Sequence, residues 1–140
     1  MSANNKISLQ MDSLSQNESL ARTVVAAFIA PLDPSIDVLV DIKTAISEAV
    51  TNAVIHGYGS KEGQIKLDLA IEGEELKITV SDTGAGIQDI EQAMEPLYTS
   101  LPEMERAGMG FTVMESFMDS VKVKSSPGKG TAVEMVKKIL

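Results

Sequence analysis

The sequence contains no cysteine, no tryptophan and only one histidine. The lack of cysteine excludes a disulfide framework and any thiolate metal site, and a single histidine leaves little material for a zinc or iron centre. With three Phe and two Tyr, the core must be built mainly from aliphatic side chains and methionine. No window approaches the roughly 18 apolar residues of a membrane span, and the first residues lack an apolar run behind a basic segment. We therefore expect a cytoplasmic protein without a membrane segment.

Basic residues are also scarce, with 12 Lys and Arg against 20 Asp and Glu, which gives a formal charge of −8. Such a charge repels phosphate backbones and disfavours direct nucleic-acid binding. A basic protein partner is compatible with it, although acidity also serves solubility. The 140 residues, 44% hydrophobic and 23% charged, fit one globular domain over residues 1–140.

The first part of the chain predicts one strand and two helices. Lys6–Asp12 alternates apolar and polar side chains, as a half-buried strand does. An S-x-x-E pattern at Ser15–Glu18 predicts a capping box and a helix that ends near Ala30. The pair Asp33-Pro34 predicts the start of a long helix with apolar periodicity, and Gly57 is its natural end.

The second part begins with two alternating strands, Gln64–Ile71 and Leu76–Ser81, joined by a short loop that predicts a hairpin. From Asp82 to Gly110 the pattern is irregular, with a short helix at Asp89–Met94. An irregular region of this length in a small domain indicates a functional loop.

The end of the chain predicts a third main helix and a second hairpin, over Phe111–Asp119, Val121–Ser125 and Thr131–Lys137. Three main helices and about five strands, joined by hairpins rather than regular βαβ units, predict a two-layer α/β sandwich. The helices would lie on one face of a mixed, largely antiparallel sheet.

Polar residues interrupt the apolar stretch EAVTNAVIHGY at four-residue intervals. In a helix, Glu48, Asn52 and His56 would form one column beside the buried face. A carboxylate and an amide at this spacing can hold a hydrated divalent ion or position a hydroxyl beside a base. The same column is also compatible with a solvated helix edge.

Three glycine-containing motifs follow. In DTGAG, Asp82 ends a strand, where it can accept a hydrogen bond from an exocyclic amine, and Gly84 and Gly86 allow close approach of a ligand. An ordinary tight turn would have the same composition. Gly108 and Gly110 open the third helix, where free backbone N–H groups suit phosphate. The fourth motif, Gly130-Thr131, is weaker and is also explained by turn chemistry.

In this order, ExxxN, DxGxG, GxGF and GT resemble the ATP-binding superfamily of gyrase, Hsp90, histidine kinases and MutL, which has the Bergerat-type ATP-binding fold. Within it, the phrases LSQNESLAR, SEAVTNAVIHGY, DTGAGI and ERAGMGFTVMESFMD resemble the anti-sigma F factor family of spore-forming bacteria, small serine kinases. The resemblance covers nearly the whole chain. The related stress-response anti-sigma kinases share the motifs less closely.

The resemblance implies a role for each matching residue. Glu48 would be the catalytic base, and Asn52 would coordinate Mg²⁺ that bridges the phosphates of ATP or ADP. Asp82 would receive the adenine amino group, and Thr131 would support the base pocket. Two glycines, Gly84 and Gly86, would shape the base pocket. The other two, Gly108 and Gly110, would act as the hinge of an ATP lid formed by Met94–Ala107.

Two arginines and the histidine have less specific roles. Arg106 would reach the γ-phosphate or a partner protein, and a solvated loop arginine is the alternative. Arg22 lies in the stretch that forms the partner-binding surface in the anti-sigma F family. We interpret His56 as structural, or as a charge that complements a helix C-terminus.

Resemblance implies a homodimer that holds a sporulation sigma factor when ATP is bound and phosphorylates an anti-anti-sigma protein on serine. A nucleotide-dependent sequestration module without kinase activity, a simple ATPase and a stress-response anti-sigma kinase are the alternatives. The single histidine lies within the site helix, which argues against a two-component histidine kinase. The chain is also too short for the added domains of gyrase, Hsp90 or MutL.

Overall fold

A computed structural model of the protein describes residues 3–57, 63–84 and 110–139. These ranges contain three α-helices and five β-strands, with a 3₁₀ turn at Ala30–Leu32 and a π turn at Ala53–Gly57. The elements in chain order are β1 (Ala3–Asp12), α1 (Asn17–Ile29), α2 (Ile36–Asn52), β2 (Gln64–Gly73), β3 (Glu75–Asp82), α3 (Gly110–Phe117), β4 (Ser120–Ser126) and β5 (Gly130–Lys138).

The five strands form one sheet in the order β1-β2-β3-β5-β4. Every described pairing is antiparallel, as expected of a sheet predicted to be mixed but largely antiparallel, and no parallel pair occurs among these residues. The two-layer α/β architecture is confirmed. None of the described helices is long and apolar enough to span a membrane.

The core lies between the sheet and the helices. Strand β2 turns Ile65, Leu67 and Leu69 inward, at alternate positions, and the β3 partners of the last two, Val80 and Ile78, are buried in the same way. Helix α2 buries one face against them, formed by Ile42, Ala45, Ile46, Ala49 and Val50. The period of two in the strands and the period near four in the helix are the patterns from which these elements were predicted.

The first hairpin is tighter than predicted. Glu72 pairs with Glu75, which leaves Gly73 and Glu74 as the loop. Gly73 has φ of 64°, the positive value that the first position of a type II′ turn requires. Glycine therefore allows two-residue closure in place of the longer loop.

Both predicted helix starts need correction. Helix α1 begins at Asn17 with Gln16, not Ser15, at the N-cap position and without a side-chain cap, and the Glu18 carboxylate accepts from Arg22 and Thr51. Helix α2 is capped by Ser35, whose Oγ accepts from the Val38 N–H at 3.2 Å. Asp33, the predicted cap, has φ of 50° and closes the preceding 3₁₀ turn.

One half-buried ammonium group, that of Lys137, connects β5 with α2 and α3. Lys137 Nζ donates to the carbonyl oxygen of Phe117, at the end of α3, at 2.7 Å and lies 3.4 Å from Asp41 Oδ2 of α2. A cation at a helix C-terminus is favourable because the last carbonyl groups have no partner within the helix. Lys137 therefore fixes the end of α3.

We predict that Lys137→Met destabilises the protein by about 2 kcal/mol, because it leaves the Phe117 carbonyl without its charged donor. Lys77→Met is the matched control: the Lys77 side chain is 48% exposed, against 14% for Lys137, and lies 3.7 Å from Glu134. The control is expected to change stability by under about 0.5 kcal/mol. Urea denaturation measures both, and equal losses would contradict this role of Lys137.

Candidate functional site

Helix α2 supports one half of the candidate site. Glu48 and Asn52 are one turn apart, and both are half-buried at the edge of the helix face that packs on the sheet. Asn52 Nδ2 is buried and has no hydrogen-bond partner within the described part of the chain. An unpaired buried amide costs free energy, so this group is suited to a partner from outside the chain.

Gly110, at the start of α3, lies against the Asn52 side chain. A Cβ added at Gly110 would come within 2.9 Å of Asn52 Nδ2 and 3.1 Å of Oδ1. A side chain there would displace the amide from its position. The absence of a side chain therefore allows α3 to begin directly beside Asn52.

The helical path continues beyond Asn52 as the π turn Ala53–Gly57, which the sequence did not reveal. Ala53 and Val54 are buried, and the turn contacts both β3 and β5. Single π turns within helices are frequent at functional sites. This turn joins the Asn52 half of the site to the sheet half.

The sheet half is formed where β3 ends beside the start of β5. Asp82 is directly opposite Thr131, and Thr131 is directly opposite Ser125 of β4. Directly opposed residues stand on one face of a sheet. Since Val80 and Val133, two residues away on the same strands, are buried in the core, these polar residues also face the helices.

The Asp82 carboxylate lies in a partly desolvated place. Its Oδ1 accepts from the Gly84 N–H at 2.9 Å. Burial raises the pKa of Asp82 above its ordinary value of 3.8, while hydrogen bonds from the backbone N–H groups of Gly84 and Thr131 oppose that rise. The site thus holds a hydrogen-bond acceptor that is poorly hydrated.

Gly130 adopts φ of 94°, a conformation that only glycine takes readily. A Cβ at this position would overlap the Asp82 carbonyl oxygen and lie 2.6 Å from Thr83 Cα. Gly130 therefore allows β5 to begin in direct contact with the end of β3. The sequence marked the Gly130-Thr131 pair but gave a role only to Thr131.

Arg22 lies at the other edge of α2. Its Nη1 donates to Glu18 Oε1 at 2.7 Å and to Ser47 Oγ at 3.1 Å. Thr51 Oγ1 donates to the other Glu18 oxygen at 3.1 Å. This network joins α1 to the turns of α2 that contain Glu48, while the Arg22 side chain stays 37% exposed.

The structure brings the predicted residues together in two groups, Asn52 with Gly110 and Asp82 with Gly84 and Thr131. Gly86, Gly108, Arg106, the segment Met94–Ala107 and the short helix at Asp89–Met94 lie outside the described residues. The backbone of His56 is in the π turn, and its side chain is also outside the description. Sequence reasoning missed Ser125, although its position in the alternation of β4, in line with Val121 and Val123, marked it as facing the core.

Known proteins resemble this chain over most of its length. The family model of the histidine kinase-like ATPase domain matches residues 12–137. An anti-sigma F factor from Clostridium kluyveri is 57% identical over 133 residues, which cover 95% of this chain and 94% of that protein. An anti-sigma F factor from Pasteuria penetrans is 56% identical over 137 residues, 96% of this chain and 91% of that protein.

A further anti-sigma F factor, from Thermoanaerobacter pseudethanolicus, is 58% identical over 139 residues, 99% of this chain and 97% of that protein. Among solved structures, a crystal structure of RsbU and RsbW domains from Mycobacterium tuberculosis superposes with a TM-score of 0.70 at 20% sequence identity. The superposition covers 96% of this chain and 32% of that chain, and shows a shared fold.

We predict that Gly130→Ala destabilises the protein by about 3 kcal/mol or more, because positive φ and steric overlap act together. Gly128→Ala is the matched control. Gly128 has φ of 77°, but nothing lies within 4 Å of an added Cβ. Its cost should be about 1 kcal/mol, from φ alone. Chemical denaturation of both variants separates the two effects, and similar losses would show that the contact with Asp82 is unimportant.

We also predict that Asp82→Asn raises the melting temperature of the ligand-free protein at pH 7. Asparagine retains an acceptor oxygen and removes the desolvated charge. Because the folded pKa lies above 3.8, wild-type stability improves as pH falls through that folded pKa toward 3.8. The advantage of the variant should therefore shrink in this window. Asp68→Asn, at a side chain 40% exposed, is the control. A lower melting temperature for Asp82→Asn at pH 7 would contradict the prediction.

Proposed function

The chain belongs to the anti-sigma F factor family of histidine kinase-like ATPase domains, and from this premise we propose that it is an ATP-dependent protein serine kinase that also sequesters a sporulation sigma factor. The observation that supports this most directly is the Asn52 amide. Its Nδ2 atom is buried and has no described partner, and the side chain lies beside the glycine that opens α3. The unpaired Nδ2 group is a hydrogen-bond donor that suits a phosphate oxygen, and the amide oxygen beside it suits a cation bound to that phosphate.

Asn52 is the residue that would hold Mg²⁺, through its amide oxygen. The fit is good because Mg²⁺ prefers oxygen ligands and is commonly bound by one or two side chains together with phosphate oxygens. When bound, Mg²⁺ would neutralise charge on the phosphates of ATP. Gly110 leaves room for this at Asn52, and Gly108, with its N–H group, would complete the phosphate site from the lid side.

The sheet half of the site would hold adenine. Asp82 supplies an acceptor for the exocyclic amine, and Thr131 lies directly opposite it. Gly84 donates its N–H to Asp82, which holds the carboxylate toward the pocket. Gly84 and Gly86 would shape the base pocket. In this assignment, the two halves of the site bind the two ends of one nucleotide.

Glu48 would act as the base. Its carboxylate would accept the proton of a serine hydroxyl as the serine oxygen bonds to the γ-phosphorus of ATP and the bond to the β-γ bridging oxygen breaks, leaving ADP. One helical turn separates Glu48 from Asn52, so the same helix would fix the position of the base relative to the residue that binds the phosphates through Mg²⁺. The substrate would be a serine of an anti-anti-sigma protein.

Arg22 would contribute to the surface that binds the partners. Its guanidinium is already oriented by Glu18 and Ser47, and Ser47 is adjacent to Glu48 in α2. A partner that contacts Arg22 would therefore approach the turn of α2 that contains the base. Arg106 would act from the lid side, on the γ-phosphate or on the partner. We further propose that the protein acts as a homodimer in the cytoplasm.

A sequestration module that binds nucleotide without phosphotransfer is the second candidate. The presence of both Glu48 and Asn52 favours the kinase, since a module of that kind has no use for a base one turn from the proposed Mg²⁺ ligand. A simple ATPase would instead transfer the phosphoryl group to water. The acceptor of the phosphoryl group therefore distinguishes all three functions.

We predict that Glu48→Gln lowers the rate of phosphoryl transfer to the anti-anti-sigma serine by about 100- to 10,000-fold, the contribution of general base catalysis. The affinity for ATP should stay within a few-fold, because Glu48 is not expected to contact the nucleotide. The measurement uses purified protein, Mg²⁺, γ-labelled ATP and the candidate partner. Glu115→Gln makes the same change at an exposed position of α3 and should transfer phosphate at the wild-type rate.

The controls separate the remaining outcomes. Transfer by Glu48→Gln at the wild-type rate would remove Glu48 from the mechanism. Binding of ATP by the wild-type protein without labelling of any partner would favour the sequestration module. Release of labelled phosphate to water would favour an ATPase. If ATP does not bind at all, the assignment of the site is wrong.

A further inference from the structure

Three polar side chains form a row across the end of the sheet, on the face that bears the helices. We call Asp82, Thr131 and Ser125 the polar row; each is directly opposite the next in the strand register. The first two are already assigned to the base pocket in the proposed function. Ser125 has no role in that proposal, although it is half-buried beside Thr131.

The direction of the hydrogen bonds in this row can be derived from the acceptors. Ser125 Oγ donates to the carbonyl oxygen of Gly130 at 2.9 Å, and a carbonyl oxygen can only accept. A serine hydroxyl has one proton, so that proton is committed to Gly130. Ser125 Oγ is also 2.8 Å from Thr131 Oγ1. In that second contact Ser125 must therefore accept, and Thr131 must donate.

The consequence falls on Thr131. Its single hydroxyl proton points across from β5 to Ser125 on β4, so only the lone pairs of Oγ1 remain available to other partners. Asp82, directly opposite, offers carboxylate oxygens, which accept when ionised. The pocket edge formed by these two residues consequently presents acceptors side by side.

The Gly130 carbonyl group, which accepts the Ser125 proton, is itself held in place. Gly130 has φ of 94°, and its Cα lies so close to the Asp82 backbone that no Cβ fits between them. Rotation of the Gly130–Thr131 peptide group would also break the hydrogen bond from the Thr131 N–H group to the Asp82 carboxylate. The acceptor for the Ser125 proton is thus a rigid feature of the sheet, and the order of donors in the row is fixed with it.

We propose that Ser125 is a positioning residue that directs the Thr131 proton away from the base pocket and thereby selects 6-aminopurines over 6-oxopurines. The inference rests on the proposed function, because it requires a nucleotide base in this pocket. A pair of acceptors suits an exocyclic amine, directly or through an intervening water. The carbonyl oxygen of guanine or hypoxanthine would face lone pairs and lose its hydrogen bond to water. Ser125 itself need not touch the ligand.

The test compares ATP with inosine triphosphate, whose base differs at C6 by a carbonyl group and at N1 by a proton. Calorimetry on the full chain with Mg²⁺ gives Kd for both nucleotides, without any partner protein. We expect wild type to prefer ATP. In Ser125→Ala the Thr131 proton is free to turn toward the pocket, so the ratio of the two Kd values should fall about tenfold.

Two variants control for structural effects. Ser125→Thr keeps the hydroxyl group and should keep the wild-type ratio. Ser126→Ala removes the neighbouring hydroxyl, which is exposed on the opposite face of β4, and should also keep it. If Ser125→Ala does not fold, as judged by its melting curve, Ser125→Cys replaces it. Cysteine keeps the volume with a much weaker donor, and the same fall in the ratio is expected.

A merely structural role predicts a different result. If Ser125→Ala or Ser125→Cys raises the Kd of both nucleotides by the same factor, or changes neither Kd, then Ser125 does not set the ligand preference and the inference is wrong. Loss of discrimination in Ser125→Thr would also overturn it, because the hydroxyl is present. Failure of the wild-type protein to bind either nucleotide would instead overturn the proposed function, and this inference with it.

Discussion

The packing of α2 against the sheet determines where the polar groups of the site point. Ile42, Ile46 and Val50 are fully buried at this contact. The helix cannot rotate without exposing them, so Glu48 and Asn52 stay along the adjoining edge. Burial of each large apolar side chain stabilises the fold by about 1.5–3 kcal/mol, more than a typical neutral hydrogen bond. Apolar packing thus sets the geometry that the polar groups then use.

Both halves of the site contain polar groups that the described chain satisfies poorly. Asn52 Nδ2 is buried without a described partner, and the Asp82 carboxylate is partly desolvated. Each raises the free energy of the ligand-free protein. A ligand that pairs with them removes this cost, and any ligand that binds only the folded state stabilises it. Ligand affinity and fold stability are therefore linked through the same two side chains.

Local patterns predicted the strands and the architecture, because alternation and helical periodicity report burial directly. They failed where a contact between distant residues decided the outcome. Glu18 looked like half of a capping box, but Thr51, 33 positions away, takes its carboxylate. The role of Ser125 cannot be predicted from the sequence, because it depends on the pairing of β4 with β5, which places Ser125 opposite Thr131. Asn52 and Asp82 were predicted as site residues from the order of the motifs along the chain. The unpaired Nδ2 atom of Asn52 and the raised pKa of Asp82 could not be predicted in this way, because both depend on how the folded chain packs around these side chains.

Gly130 has a consequence for how tolerance to substitution would be interpreted along this chain. It contacts no ligand in any step described above and offers no side-chain chemistry. Its backbone conformation and its contact with Asp82 nevertheless exclude every other residue type. In a saturation-mutagenesis map this position would be as intolerant as the proposed base, Glu48. The intolerance of Gly130 would reflect the close contact between β3 and β5. Ranking positions by the severity of their substitutions alone would therefore assign a catalytic role to a residue whose role is structural.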